Sequence, residues 1–444
     1  MKISNIVKHG SRAGVPTAYR VDQILLTNCS GDSHDIQAFV TDFTITESIY
    51  TPSLILSLNV KDPINLFEEM KLSGQETISI QLAKTPLGSS NEDTVSLNFI
   101  VTEYPVYGRF PNRLHAYTLK GVSPHAFLSK LLRVSKAFSG TLRDFSSQIL
   151  LSTLRYDASR LFIDSKNTAS VSLVVPNLTP VDAVVWALRR AYDASGAPWY
   201  CYETLHDGMR LEAQSSMVQK SAYQTYSEGR LFTYDPYTVN DYNQRATRIL
   251  SAASTLNMSK YVTAPAGAWA GRATYCDSAT KTISVSTFDY LSKFGSMVWT
   301  PAGNPNLAPE FQPSGESLND YLDAAQQFVP INSLAFGQTD RNYHSTTGNG
   351  NILTAQSYVE NLDNMICDVT LAGDFQLSAG KTAILQLQKT IDPNIKVQDA
   401  QNSTSDRWDE SLSGIYLVTT VIHSFGSEYT CQARMKKDTS GIVL

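Results

Sequence analysis

Apolar and polar residues alternate along the first quarter of the chain. Phe43 and Ile45 are followed, after a short break, by apolar residues at every second position from Leu54 to Val60. A period of two is typical of half-buried β-strands. Similar runs follow in QETISIQLAK, VSLNFIVTEYPVYG and RLHAYTLKGV. Several short strands separated by turn residues predict a sandwich or barrel over residues 1–122.

Two of these strands are predicted to form a long hairpin between Thr44 and Asp62. Pro52 and the stretch around it, Tyr50–Ser53, break the alternation and indicate a turn. Each half of the hairpin then presents one apolar face.

The pattern changes to helical spacing after Ser123, a good N-cap with a proline after it. A second helix is predicted after Thr141, and a third after Thr179, where Pro180 occupies the first helical position. A hairpin turning at Asp207–Gly208 follows. Residues 123–225 are therefore interpreted as a small α+β domain.

The remaining residues divide into strand-like and irregular stretches. Residues 226–265 read as strands, and the proline-rich residues 266–345 read as an inserted loop-rich domain with one helix from about Ser317 to Val329. After a predicted helix in ILTAQSYVENLDNM, strands return and the chain closes on a hairpin, SGIYLVTTVIHSFGSEYTCQARMKKD, from Ser413 to Asp438. We assign 346–444 with 226–265 to one discontinuous β domain.

Composition points to protein contacts and away from nucleic-acid recognition and membranes. Charged residues make up only 17% of the chain, there are 22 tyrosines, and the net charge is −5. Tyrosine suits half-wet interfaces as well as strands, so an interface and an ordinary β-rich domain explain it equally well. No cluster of Lys and Arg, no signal-peptide core and no membrane-length apolar run is present. The five cysteines are scattered, which favours free thiols made in a reducing cytoplasm.

No motif predicts catalysis or a cofactor. The seven histidines show no metal-ligand spacing, and TGNGN at 347–351 fits a flexible turn better than an anion site. Carboxylate pairs such as Glu68–Glu69 and Asp406/Asp409 are expected in any β-rich chain of this length. A strand core is the favoured interpretation of Trp199 and Tyr200, and a hydrogen-bonded strand histidine at an interface that of His423. No cofactor and no metal are expected.

Three stretches in this order resemble a known family. TITESIYTPSLILSLNVKDP comes first, LTPVDAVVWALRRAYDASGAPWYCYETLHDGMRLEA second, and VTLAGDFQLSAGKTAILQLQ with the closing hairpin third. Together they resemble the central baseplate hub protein of contractile-tailed bacteriophages, a family shared with the N-terminal part of VgrG-type spike proteins. The resemblance spans nearly the whole chain, although each stretch alone is weak, and residues 266–345 do not match it.

The resemblance implies an α+β fold that is mostly β. Two tail-tube-like antiparallel β-barrel domains, 1–122 and 226–265 with 346–444, would be accompanied by the α+β domain and the loop-rich insertion. The closing hairpin would complete the second barrel. Three subunits would give a ring of six barrels that adapts a sixfold tail tube to a threefold spike. The early hairpin would line the lumen or contact the next ring, with Glu47, Asp62, Glu68 and Glu69 as lumen or ring-contact candidates.

The same resemblance implies a non-enzymatic virion protein of the tail baseplate. Expected partners are two further copies of the chain, a tail tube or tube-initiator protein, a separate trimeric spike protein, baseplate wedge proteins and a tape measure protein. DNA would pass through the lumen without specific binding, since the acidic early hairpin has few cations to hold phosphates. Two alternatives remain: a carbohydrate-active enzyme with acidic residues near Trp199 or Trp408, and a receptor- or glycan-binding tail-tip protein.

Overall fold

The computed structural model shows a mostly β protein built around one large sheet. The structure describes residues 15–85, 92–105, 107–110, 114–166, 170–189, 193–228, 245–256, 260–278, 280–301, 303–311, 314–317, 325–331, 346–389 and 408–441.

The first unit contains eight strands and one short helix. They are β1 (Arg20–Thr27), β2 (Ser33–Asp35), β3 (Val40–Ser48), β4 (Thr51–Asp62), α1 (Leu66–Glu69), β5 (Thr77–Lys84), β6 (Asp93–Glu103), β7 (Tyr107–Phe110) and β8 (Leu114–Val122). Six of them pair in the order β1-β5-β6-β8-β4-β3. The predicted long hairpin is present as β3 and β4, with its turn at Ile49 and Tyr50. It does not project from the sheet, because β8 and a strand of the last unit pair with its two outer edges.

The second unit mixes helices with short strands. It contains α2 (Pro124–Lys130), β9 (Ala137–Thr141), α3 (Leu142–Ser147), a π-helical turn (Gln148–Thr153), a 3₁₀ turn (Ala158–Arg160), β10 (Leu161–Ile163), β11 (Ser170–Val174), α4 (Pro180–Leu188), β12 (Trp199–Thr204), β13 (Gly208–Ala213) and α5 (Gln214–Val218). The predicted cap at Thr179 is confirmed, whereas Ser123 precedes α2 without a side-chain capping bond because its hydroxyl donates to Glu203. Thr141 forms a capping box with Asp144, and the Thr179 hydroxyl accepts a hydrogen bond from the backbone N–H of Asp182.

The insertion contains more regular structure than the sequence indicated. After β14 (Thr225–Glu228) and β15 (Arg248–Leu256) come α6 (Lys260–Thr263), β16 (Ala270–Asp277), β17 (Thr282–Asp289), α7 (Tyr290–Lys293), a 3₁₀ turn (Phe294–Ser296), β18 (Glu310–Phe311), β19 (Glu316–Ser317), β20 (Ala325–Ile331) and α8 (Thr346–Leu362). The helix predicted from Ser317 to Val329 is wrong over Ala325–Val329, because β20 pairs with β16 there, and 318–324 lie outside the described residues. TGNGN lies within the first turns of α8.

The insertion has its own core, and α8 belongs to it. Strands β17, β16 and β20 form a three-stranded sheet. Leu353 and Tyr358 of α8 pack in one cluster with Trp269, Tyr275 and Tyr290 of the insertion. A division at residue 345 therefore separates this helix from the sheet that it covers.

The last four strands complete a closed barrel. They are β21 (Met365–Ala372), β22 (Thr382–Gln386), β23 (Gly414–Phe425) and β24 (Tyr429–Lys437). Pairing runs β23-β22-β14-β15-β21-β24 and returns to β23, which closes six strands into a ring. The closing hairpin completes this barrel, as expected. A closed barrel leaves no sheet edge exposed to unwanted pairing.

One ladder joins the first unit to the barrel. β23 also pairs antiparallel with β3, from Thr420 opposite Ser48 to Phe425 opposite Phe43. A single hydrophobic cluster consequently extends through both six-stranded units, and Phe43 stacks on Phe425 with ring centroids 4.6 Å apart. The mostly β, α+β fold class is confirmed.

Candidate functional site

The side chains of β3 divide cleanly between two faces. Phe43, Ile45 and Glu47 are fully buried in the core. Thr44 and Thr46, which alternate with them, are only partly buried and point to the opposite face of the sheet. Hydroxyl residues on the outward face let the strand contact water while its other face packs.

This outward face continues without interruption from one six-stranded unit to the other. Across the β3–β23 ladder, Thr46 lies opposite Ile422 and Thr44 lies opposite Ser424. On the far side of the hairpin, the same rows continue through β4 into β8. We call this surface the outer face, and it comprises Thr44, Thr46, Ile55, Ser57, Asn59, Thr118, Lys120, Asp368, Thr370, Thr420, Ile422, Ser424, Gln432 and Arg434.

Hydroxyl and amide groups dominate the outer face and bond to one another. Thr118 donates to Asn59 at 2.8 Å, and Asn59 donates to Asp42 at 2.7 Å. The hydroxyls of Ser48 and Thr420 lie 3.0 Å apart across the ladder that joins the units. On the barrel side, the surface forms a trough of about 520 Å³ lined in part by Asp368, Thr420 and Arg434.

Two cations of the outer face, Arg434 and Lys120, lie beside carboxylates, whereas Lys61, exposed on β4 in phase with Asn59, has no ion pair with the residues that the structure describes. The Arg434 guanidinium donates to both oxygens of Asp368, at 2.8 and 3.0 Å. The Lys120 ammonium lies 3.5 Å from the carboxylate of Glu103 on β6. The face therefore combines a polar surface with charge that is locally balanced at Arg434 and Lys120.

Glu47 connects three units at the other face of β3. Its carboxylate accepts hydrogen bonds from the backbone N–H of Leu205 at 2.6 Å and of Ala379 at 2.7 Å. Leu205 belongs to the α+β unit and Ala379 to the turn before β22. Burial raises the pKa of Glu47 to about 8, although the two N–H donors oppose this.

His423 lies beside this joint and is also fully buried. Its Nδ1 is 2.8 Å from the Tyr429 hydroxyl, and its Nε2 is 4.0 Å from Glu47 with no hydrogen-bond partner in the described part of the chain. Burial lowers the pKa of His423 to about 3, so the imidazole is neutral. The interpretation as a hydrogen-bonded strand histidine is therefore correct in its position.

Two further buried carboxylates of the α+β unit, Glu203 and Glu212, hold neighbouring segments together through hydrogen bonds and ion pairs. Glu203 accepts hydrogen bonds from Leu54 of β4 at 3.0 Å and from the Tyr156 hydroxyl at 3.2 Å. Glu212 accepts one from Tyr202 at 2.8 Å and pairs with Arg210 and Lys220. Both carboxylates are engaged in holding the chain together, Glu203 on the strand that carries Trp199 and Glu212 on its neighbour β13.

The structure corrects two of the four sequence-predicted lumen or ring-contact candidates. Glu47 and Asp62 have no exposed surface, so neither presents its carboxylate to a lumen. Asp62 instead accepts hydrogen bonds from the backbone of Ile64 and the hydroxyl of Tyr117. Glu68 and Glu69 are exposed on α1, away from the outer face. These two stay predictions as ring contacts.

Strand alternation already contained the signal that separates these residues. Glu47 is in phase with Phe43 and Ile45, and Asp62 is in phase with Leu54 to Val60. The hydroxyl residues in the opposite phase were the better candidates for a polar surface. Arg434 and Asp368 could not be paired from the sequence, since 66 positions separate them.

Part of the set considered for an alternative sugar site comes together in the described structure, where Trp199 and Tyr200 line a groove of about 510 Å³ with Asp182 and Glu360. Trp199 is 5% exposed and packs in the core of the α+β unit. Tyr200 directs its hydroxyl to Gln214 at 3.2 Å. Asp409 accepts from the backbone N–H groups of Ser411 and Leu412, and Asp406 lies outside the described residues.

Within the described ranges, no three His, Cys, Asp or Glu side chains come close enough together to hold a metal ion. Among the described helices, none is long and apolar enough to cross a membrane.

Solved structures give the fold a precedent. The 43 kDa tail protein of prophage MuSo2 from Shewanella oneidensis aligns with a TM-score of 0.53 and 8% identity, covering 95% of this chain and 99% of that one. A tail protein from Neisseria meningitidis MC58 aligns with a TM-score of 0.51 and 10% identity, covering 95% and 97%. The chain has the fold of phage tail proteins.

At the level of the fold, this agrees with the resemblance seen in the sequence. A type VI secretion component from E. coli, the c3393 protein, aligns more weakly, with a TM-score of 0.42 and 9% identity over 95% of this chain and 78% of that one. No protein-family model matches the chain. No curated protein matches its sequence.

Proposed function

We propose that the chain is a structural subunit of a phage tail, the trimeric hub of the baseplate. Each chain contributes two six-stranded units held in one sheet by the β3–β23 ladder. Three chains would then contribute six such units to a closed ring. A ring of this kind meets a sixfold tube on one side and a threefold spike on the other, and it needs no chemistry of its own.

The outer face is the proposed channel wall. It spans both six-stranded units, so copies arranged around an axis would join their faces into one lining. Its hydroxyls and paired charges offer little to phosphates, whose affinity for proteins comes from free cations. The β3–β23 ladder is the observation that carries the proposal, because it makes two units behave as one wall segment.

The partners follow from the proposed position in the tail. A tube or tube-initiator protein would stack on one end of the ring and a separate trimeric spike on the other, with wedge proteins outside and the tape measure protein inside. The assembled protein would be located in the virion.

Mass in solution tests the proposal. We expect light scattering across a concentration series to give a trimer near three times 48.9 kDa, either alone or on adding the purified tube or spike protein. Negative-stain images of that species should show six densities around a central hole. A monomer that persists with both partners would exclude the hub, and polysaccharide binding and hydrolysis would then be assayed.

A further inference from the structure

We propose that Asp368 and Glu103 mask Arg434 and Lys120 on the outer face, so that this surface holds DNA less tightly. The inference rests on the proposed channel, and it names two residues that lower the affinity of that channel for DNA.

The pair between Asp368 and Arg434 has the geometry of a dedicated contact. The two residues are direct cross-strand neighbours on β21 and β24. Two nearly parallel hydrogen bonds of 2.8 and 3.0 Å fix the guanidinium plane on the carboxylate. This fork is the one that an arginine would otherwise offer to a phosphate. The carboxylate therefore occupies the donors that DNA would use.

Glu103 likewise lies beside Lys120, a cation at the other end of the outer face. Glu103 and Lys120 are cross-strand partners at a bulge between β6 and β8, with the ammonium 3.5 Å from the carboxylate. Each six-stranded unit thus places one acid beside an outward cation. Hydroxyl residues fill the rows between the two pairs.

Stability does not explain these pairs. The side chains of Asp368 and Arg434 are 47% and 54% exposed, and those of Glu103 and Lys120 are 63% and 45% exposed. Ion pairs as exposed as these contribute little to the free energy of unfolding. Their larger effect is on the local potential, where each carboxylate cancels a positive charge facing the proposed channel. Removing the acids should leave the fold intact and uncover the cations.

The test is the affinity of the purified full-length protein for a fluorescent DNA duplex of about 30 base pairs, measured by anisotropy from about 50 to 200 mM salt. We expect the double variant Asp368→Asn/Glu103→Gln to bind at least about tenfold more tightly than wild type at the lowest salt, with a steeper salt dependence.

The matched control is Asp22→Asn/Glu92→Gln. It changes the net charge by the same amount and also uncovers an arginine, Arg20, which lies 2.6 Å from Asp22 and 2.9 Å from Glu92. Arg20 is on β1, outside the outer face. Equal tightening in this control would overturn the proposal, and so would no tightening in the outer-face variant.

The mass of each sample, measured in the same buffers, separates this inference from the hub proposal. A wild-type ring whose outer-face variant gains no affinity leaves the hub standing and removes the masking role. A wild-type protein that stays monomeric with its tube and spike partners present excludes the hub. A gain in DNA affinity confined to the outer-face variant would still establish the masking.

Discussion

At the scale of single residues, two opposing effects act on the protonation of the buried Glu47 carboxyl group. Two backbone N–H groups favour the ionised form, whereas complete burial favours the neutral form and raises the pKa to about 8. A group with a raised pKa contributes its full stability below its unfolded pKa of 4.5. That contribution is lost as the pH rises toward 8.

We therefore expect Glu47→Gln to be less stable than wild type near pH 5, because its amide nitrogen cannot accept from one of the two N–H groups, and to gain on wild type by up to about 1.4 kcal/mol per pH unit toward pH 8. Urea unfolding at several pH values measures the difference, and Glu69→Gln on exposed α1 is the control. A Gln variant equally destabilised at every pH would show that the carboxylate is ionised throughout.

Gly380 is a residue whose lack of a side chain matters. It has φ +79°, and a Cβ there would lie 2.0 Å from the Tyr202 hydroxyl. Because both the backbone and the space exclude a side chain, we expect Gly380→Ala to cost about 3 kcal/mol or more. Thermal unfolding should show a lowered midpoint. Gly295→Ala, with nothing within 4 Å of the added methyl group, should leave the midpoint nearly unchanged.

At the scale of elements, the β3–β23 ladder couples the two six-stranded units. Phe425 is 1% exposed and stacks on Phe43 of β3 and on Tyr429 of β24. We expect Phe425→Ala to cost about 3–5 kcal/mol. Hydrogen exchange should accelerate in β3 and β4 as well as in β23 and β24.

Exchange confined to β23 and β24 would contradict the coupling. Phe110→Ala is the matched control, because Phe110 is 54% exposed at the end of β7 and its removal should leave exchange in all four strands unchanged.

At the scale of the whole molecule, the two exposed candidates on α1 remain to be placed in an assembly. Glu68 and Glu69 lie next to Ile64, which is 50% exposed. If this end of the first unit contacts a neighbouring copy, Glu68→Lys/Glu69→Lys should shift the trimer toward monomer by about tenfold or more in dissociation constant. Sedimentation at several concentrations measures the shift.

Asp157→Lys is the control for that charge reversal. Asp157 is exposed at the start of the 3₁₀ turn of the α+β unit, so its reversal should leave association unchanged. A trimer that tolerates the α1 reversal as well would remove Glu68 and Glu69 from the ring contact.

The sequence determined which segments form most strands and helices, because those depend on neighbours a few positions apart. Alternation predicted the β3–β4 hairpin, and Thr141 and Thr179 predicted the starts of α3 and α4. Alternation also places Glu47 on the core face, whereas its charge favours an exposed position. The proline-rich insertion offered too little periodicity to reveal β16, β17 and β20.

Tertiary structure alone decided how distant segments combine. The contact between Ser48 and Thr420 joins residues 372 positions apart, and its register depends on which strand edges remain unpaired after both units fold. Periodicity identifies a strand's two faces but not its neighbour. The continuous outer face and the pairing of Asp368 with Arg434 therefore emerge only when the strands are assembled.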